Sequence, residues 1–208
     1  MTDLYLVTDR RLVPDGDLPR ALATSLEGAD AGARVAVQLR EKDLSGRELE
    51  DLARALVPIC AGAGALLLVN DRADVARAVG ANGVHLPTDG LPPAEVRGWW
   101  PDAVIGCSAH SLDEVRAARD GGADFATFGP VWETPSKAVY GPPVGLEALG
   151  GAAALGLPLL AIGGITRDRV APALAAGATG IACIRAVLGA ADLAEAVRGL
   201  LAPAGDAP

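Results

Sequence analysis

Short, continuously apolar runs alternate along the chain with longer segments whose apolar residues recur at helical spacing. The runs that read as strands are Leu4–Thr8, Val35–Leu39, Ala65–Val69, Gly83–Leu86, Val104–Cys107, Phe125–Phe128, Leu159–Ile162 and Gly180–Ile184. Most lack the period-two alternation of a strand with one wet face, as expected for strands covered on both sides. A typical intervening segment runs from Arg47 to Ile59 and puts Leu49, Leu52, Ala53, Leu56 and Ile59 on one helical face. Ser45 with Glu48, and Ser111 with Glu114, have capping-box spacing ahead of helical segments. Gly32, Gly62, Gly80, Gly121 and Gly177 fall near expected helix ends, where a left-handed residue is favoured.

A strand followed by a helix, repeated eight times in 208 residues, predicts an α/β fold: a single (β/α)8 TIM barrel at the small end of its size range. A doubly wound open sheet is the alternative, but the chain has no GxGxxG after its first strand. The expected layout is one domain over residues 1–201 and a disordered tail over 202–208, where Ala202 to Pro208 is short and proline-bearing.

Composition narrows the function classes. Half the residues are hydrophobic and 21% are charged, which excludes a disordered chain. No apolar run reaches the roughly 18 residues of a membrane span, so no membrane partner is expected. Met1-Thr2-Asp3-Leu4 has no basic region before an apolar stretch, so no secretory signal is expected. The net charge of -8 argues against non-specific nucleic-acid binding but leaves room for a small anionic substrate at a local basic cluster. Cys60, Cys107 and Cys183 are an odd count without CxxC spacing and read as core residues of a reducing compartment. Localisation is therefore expected to be cytoplasmic. A homo-oligomer stays open.

In such a barrel, chemistry gathers where the strands end. The second strand runs out through Gln38, Arg40 and Lys42, an amide and two cations suited to a phosphate or diphosphate. The third ends Asn70-Asp71, where the carboxylate can cap a helix or bind Mg2+ together with substrate phosphates. The only two histidines, His85 and His110, stand at the fourth and fifth strand ends, the latter after Cys107-Ser108-Ala109. The sixth strand leads into a long loop, Gly129 to Pro143, carrying Thr134, Ser136 and Lys137. Gly163-Gly164 after the seventh strand would let backbone approach an anion, and Arg185 after the eighth adds a cation. These groups suggest two anion sites on one rim, with no Ser-His-Asp order, zinc spacing or Walker loop.

The ordered strings Val37-Gln38-Leu39-Arg40-Glu41-Lys42, Val69-Asn70-Asp71, Gly83-Val84-His85-Leu86, Gly106-Cys107-Ser108-Ala109-His110, Phe128-Gly129-Pro130-Val131, Thr134-Pro135-Ser136-Lys137 and Ala161-Ile162-Gly163-Gly164-Ile165 resemble the thiamine phosphate synthase/TenI superfamily. The likeness runs from about Leu4 to Val187. It implies a (β/α)8 barrel that joins hydroxymethylpyrimidine diphosphate to a thiazole phosphate with Mg2+ and releases diphosphate. By this resemblance Gln38, Arg40, Lys42, Asn70 and Lys137 hold the pyrimidine diphosphate, and Ser108 contacts the pyrimidine. Thr134 and Ser136 meet the thiazole phosphate or the leaving diphosphate, and Gly163 and Gly164 face the thiazole phosphate; beside them Arg185 either binds that phosphate or fills its pocket.

The metal ligands implied are Asp71 and Asp89. Synthases of this superfamily usually read His-Leu-Gly-Gln-x-Asp here, whereas this chain reads His85-Leu86-Pro87-Thr88-Asp89-Gly90, with its carboxylate one residue earlier. Where synthases usually carry Ser, this chain has Arg185. The Leu91-Pro92 pair that follows is similar to the TenI branch, some of whose members isomerise a carboxythiazole phosphate. In that alternative His110 moves the proton. A third alternative is a non-catalytic TenI-like ligand-binding protein, against which the charges of Arg40, Lys42 and Lys137 weigh.

Overall fold

The computed structural model describes residues 2–134 and 142–202. Eight parallel strands close into a barrel in chain order: β1 (Leu4–Val7), β2 (Val35–Leu39), β3 (Leu66–Asn70), β4 (Gly83–Leu86), β5 (Val104–Ala109), β6 (Phe125–Phe128), β7 (Leu159–Ile162) and β8 (Gly180–Cys183). β1 pairs with β2 on one side and β8 on the other, which completes the ring. Outside it lie α1 (Leu18–Leu26), α2 (Gly46–Gly62), α3 (Ala73–Val79), α4 (Pro93–Trp99), α5 (Leu112–Asp120), α6 (Gly145–Ala153), α7 (Arg167–Ala175), the single turn α8 (Arg185–Leu188), and α9 (Leu193–Leu201). The (β/α)8 barrel expected from the alternation is the fold of the described residues. No helix among them is long and apolar enough to cross a membrane.

The unbroken apolar runs follow from two cores. Alternate strand residues such as Leu6, Val37, Leu67, Val84, Ile105 and Leu159 pack outward with Leu22, Leu56, Val96, Val115 and Val197 of the helices. The residues between them point inward, and Tyr5, Val7, Ala36, Leu68, Phe125, Leu160 and Ala182 form a separate interior cluster. Truncating a buried leucine of either core to alanine is expected to cost about 2–5 kcal/mol. Phe125 fills the interior because Gly106 lacks a side chain. A Cβ there would lie 2.4 Å from Phe125 Cζ and 2.8 Å from His85 Nδ1.

Both capping boxes form. Ser45 and Ser111 each accept the N–H of the glutamate three residues on, and that glutamate accepts the serine's own N–H. Some boundaries move. β5 runs to Ala109 because Ser108 and Ala109 pair with Thr127 and Phe128, which places Ser108 in the strand rather than in a loop. β8 ends at Cys183, since Ile184 already adopts helical torsions as the cap of α8. Of the five glycines expected to be left-handed, Gly32, Gly80 and Gly177 are. Gly62 instead closes the last turn of α2, and Gly121 is right-handed; Gly64 and Gly122 take the positive φ. All three cysteines are buried and free, and burial raises each thiol to about 12.

Candidate active site at the barrel mouth

The top inward layer is polar. Gln38 of β2, Asn70 of β3, His85 of β4 and Ser108 of β5 succeed one another around the ring, with Asn70 paired to His85 and Ser108 to Thr127. Beneath them a chain of hydrogen bonds crosses the barrel. Gln38 Nε2 donates to the Tyr5 hydroxyl at 3.3 Å, which lies 3.3 Å from His85 Nδ1, and His85 Nε2 lies 3.0 Å from Ser108 Oγ. The Tyr5 ring meets Phe125 edge-on at 5.3 Å, so it cannot swing away from this chain. Burial, with a smaller push from the Arg40 guanidinium, lowers His85 to about 3, so its ring is neutral at neutral pH. Burial likewise raises the Tyr5 hydroxyl above its ordinary value.

Around this floor runs a rim of strand-end loops. Arg40 follows β2 directly, half-buried, and its N–H donates to Thr8 Oγ1 at 2.9 Å. The alternation that would carry the row on to Lys42 stops when β2 ends, and Lys42 is exposed in a turn. Between the two cations Glu41 is buried. It accepts Thr8 Oγ1 at 2.7 Å, the Arg10 N–H at 3.1 Å and Arg10 Nη1 at 3.0 Å. Arg10 also forks onto Asp43 at 2.7 and 2.9 Å. The ends of β1 and β2 are thereby clamped together.

Asp71 is an exposed carboxylate on strained backbone, with φ at +63°, a region that non-glycine residues seldom occupy. The strain is held by its N–H, which donates to the His85 carbonyl at 2.8 Å. Asp89 is exposed in the turn after β4. The turn packs against the Asp71 carboxylate: a Cβ at Gly90, the residue after Asp89, would lie 3.0 Å from Asp71 Oδ1. No group of three or more metal-ligating side chains occurs among the described residues. Exposed carboxylates on two neighbouring loops suit Mg2+, which is commonly held by one or two carboxylates, waters and substrate phosphate oxygens.

The opposite side of the mouth is built differently. His110 is exposed, and its Nδ1–H donates to the Gly129 carbonyl at the end of β6. From Gly129 the chain runs along the end of β7, where Val131 and Trp132 donate to the Ile162 and Gly163 carbonyls at 2.8 and 3.2 Å. This explains Gly163 and Gly164. Both have positive φ, and their missing Cβ atoms would fall 2.5 Å from Pro130 Cβ and 2.8 Å from Trp132 Cβ. The glycine pair therefore admits the loop itself, a need separate from any anion. Arg169 fastens the junction, donating to the Gly164 carbonyl at 2.7 Å with its guanidinium 5.4 Å from the Trp132 ring centre. Arg185 is exposed at the start of α8 and, behind Arg11, helps hold Asp9 below the usual carboxylate range. Thr134 is half-buried, whereas Ser136 and Lys137 lie outside the described residues.

Residues 4–187 match the family model described as thiamine monophosphate synthase. The chain belongs to this family. A protein of Geobacter sulfurreducens named putative thiamine-phosphate synthase is 48% identical over 201 residues, covering 96% of this chain and 92% of its own. A thiamine-phosphate synthase of Chlorobium luteolum is also 48% identical over 201 residues, with 96% and 91% covered. The solved structure of thiamine phosphate pyrophosphorylase from Pyrococcus furiosus superposes with a TM-score of 0.84 at 36% identity, covering 95% of this chain and 93% of that one.

Two parts of the site escaped the sequence reading. Tyr5 looked like one more apolar strand residue, although a hydroxyl buried inside a barrel demands partners. Glu41 belongs to no recognised motif of its own between Arg40 and Lys42, although an acid flanked by two cations at a strand end is a natural clamp.

Proposed function

We propose that this chain is a thiamine-phosphate synthase that joins hydroxymethylpyrimidine diphosphate to a thiazole phosphate at the carboxyl end of the barrel. The identity of 48% over 201 residues to synthase-named relatives carries this reading, and the family-model match over residues 4–187 takes in every strand end. The carbon–oxygen bond to diphosphate breaks and its electron pair leaves with the diphosphate. The thiazole nitrogen then supplies the pair for the new carbon–nitrogen bond. Little covalent chemistry is asked of the protein, so its contribution is positioning and charge neutralisation.

In this reading Gln38 and Ser108 hold the pyrimidine over the floor, and Arg40, Lys42, Asn70 and Lys137 hold its diphosphate. Asp71 and Asp89 hold Mg2+, which when bound neutralises charge on the leaving diphosphate. Thr134, Ser136, Gly163, Gly164 and Arg185 hold the thiazole phosphate. His110, fixed by Gly129, orients the root of the β6 loop. Small phosphorylated substrates and three unpaired buried cysteines fit the cytoplasm. Purified protein incubated with both substrates and Mg2+ is expected to form thiamine phosphate, followed by HPLC. Absence of product from folded protein contradicts the assignment.

A further inference from the structure

The buried chain Gln38–Tyr5–His85–Ser108 has a hydrogen-bond direction, and that direction reaches the mouth. Tyr5 has one hydroxyl proton. Its oxygen accepts from Gln38 Nε2, and His85 Nδ1 is the one acceptor that the described residues offer the buried hydroxyl, which directs the proton there. A neutral imidazole that accepts at Nδ1 carries its own proton on Nε2, and that proton goes to Ser108 Oγ. The Ser108 proton has no acceptor among the described residues. The Gln38 Oε1 carbonyl has no donor among them, and since no fully buried side-chain polar atom of the described residues lacks a partner, that oxygen is not fully closed off from the mouth.

We propose that Tyr5 and His85 are positioning residues that set the polarity of the substrate floor, so that Ser108 presents a donor and Gln38 an acceptor. The proposal rests on the synthase reading and deepens it by naming what the floor selects. A heterocycle with a ring nitrogen toward Ser108 and an N–H toward Gln38 matches both groups. An aminopyrimidine satisfies this pattern. An oxopyrimidine of the same shape sets oxygen against oxygen at Gln38, and buried polar groups left unpaired discriminate strongly. Neither Tyr5 nor His85 needs to touch the substrate.

The experiment uses the full chain labelled with 15N-histidine. With only two histidines, both rings resolve, and His110→Ala assigns them. Long-range proton–nitrogen spectra are expected to show His85 protonated on Nε2 and His110 on Nδ1. In Tyr5→Phe the His85 ring is expected to lose its single tautomer. The KM for pyrimidine diphosphate is expected to rise about five- to tenfold, the worth of one hydrogen bond, while that for thiazole phosphate stays within about twofold. The advantage of an aminopyrimidine over an oxopyrimidine inhibitor is expected to shrink in the same variant. His85 protonated on Nδ1 in the unsubstituted protein overturns the proposal, and so does a Tyr5→Phe variant with unchanged spectrum and KM. If the unsubstituted protein forms no product, the synthase reading fails, while the nitrogen spectrum still decides the relay. If Tyr5→Phe does not fold, the spectrum of the unsubstituted protein and its amino-against-oxo preference decide.

Discussion

Removing the Glu41 carboxylate tests whether the β1–β2 clamp supports the site. Its side chain is 2% exposed and that of Arg10 is 28% exposed, so the pair is screened on one side only. Glu41→Ala leaves the Thr8 hydroxyl, the Arg10 N–H and part of the Arg10 guanidinium without their acceptor. Breaking a buried ion pair costs about 3–5 kcal/mol. Arg10 keeps its fork to Asp43 and reaches water, so the lower end, about 3 kcal/mol, is the expected loss. For a chain of this size that lowers Tm by roughly 6–12 °C. Thermal unfolding followed by circular dichroism measures it. The Arg40 N–H rests on Thr8 Oγ1, so the same variant should also bind pyrimidine diphosphate more weakly. Glu41→Gln keeps an oxygen for Thr8 and should fall between. Asp43→Ala, which removes only an exposed partner, should move Tm little. A Glu41→Ala drop below about 3 °C, with an unchanged KM, would refute the clamp.

Three further perturbations have definite outcomes. His85 sits at about 3 when folded against an ordinary 6.5, so the unfolded chain binds its proton first. Stability should therefore fall from pH 6.5 toward 3 by at most ~1.4 kcal/mol per pH unit from this residue; denaturant unfolding at pH 5 and 7 should show a smaller difference in His85→Asn, and equal differences would contradict a buried neutral ring. Asp71→Asn should lower coupling turnover about a hundredfold and raise the Mg2+ requirement, whereas Asp89→Asn should act more weakly because its carboxylate stands one residue earlier than synthases usually place it. Equal losses in a Mg2+ titration would reverse that ranking. Gly163→Ala cannot fit without moving Pro130, so both Tm and coupling should drop, and an unaltered variant would remove the packing explanation for the glycine pair.

The barrel was legible because its signals are local and repeated. Strands buried on both faces read as unbroken apolar runs, and each capping box is contained in four residues. Asp71 and His110 were legible as rim residues because strand ends are where a barrel keeps its chemistry. What stayed hidden depends on distance in sequence. The Tyr5–His85 contact joins residues 80 apart, and no local pattern announces it. The role of Gly163 and Gly164 depends on where Pro130 and Trp132 travel, which a motif of paired glycines does not state. The direction of Lys42 is hidden for a simpler reason: it stands in a turn past the last residue of β2, where strand alternation no longer applies.

The central claim is that this mouth couples two phosphorylated substrates. One preparation should be given hydroxymethylpyrimidine diphosphate, thiazole phosphate and Mg2+, and separately a carboxythiazole phosphate alone, with thiamine phosphate and diphosphate both quantified. The account predicts one diphosphate released per thiamine phosphate formed, abolished by EDTA, and no isomerisation of the carboxythiazole. Isomerisation that survives EDTA and is lost in His110→Ala, with no coupled product, would contradict it.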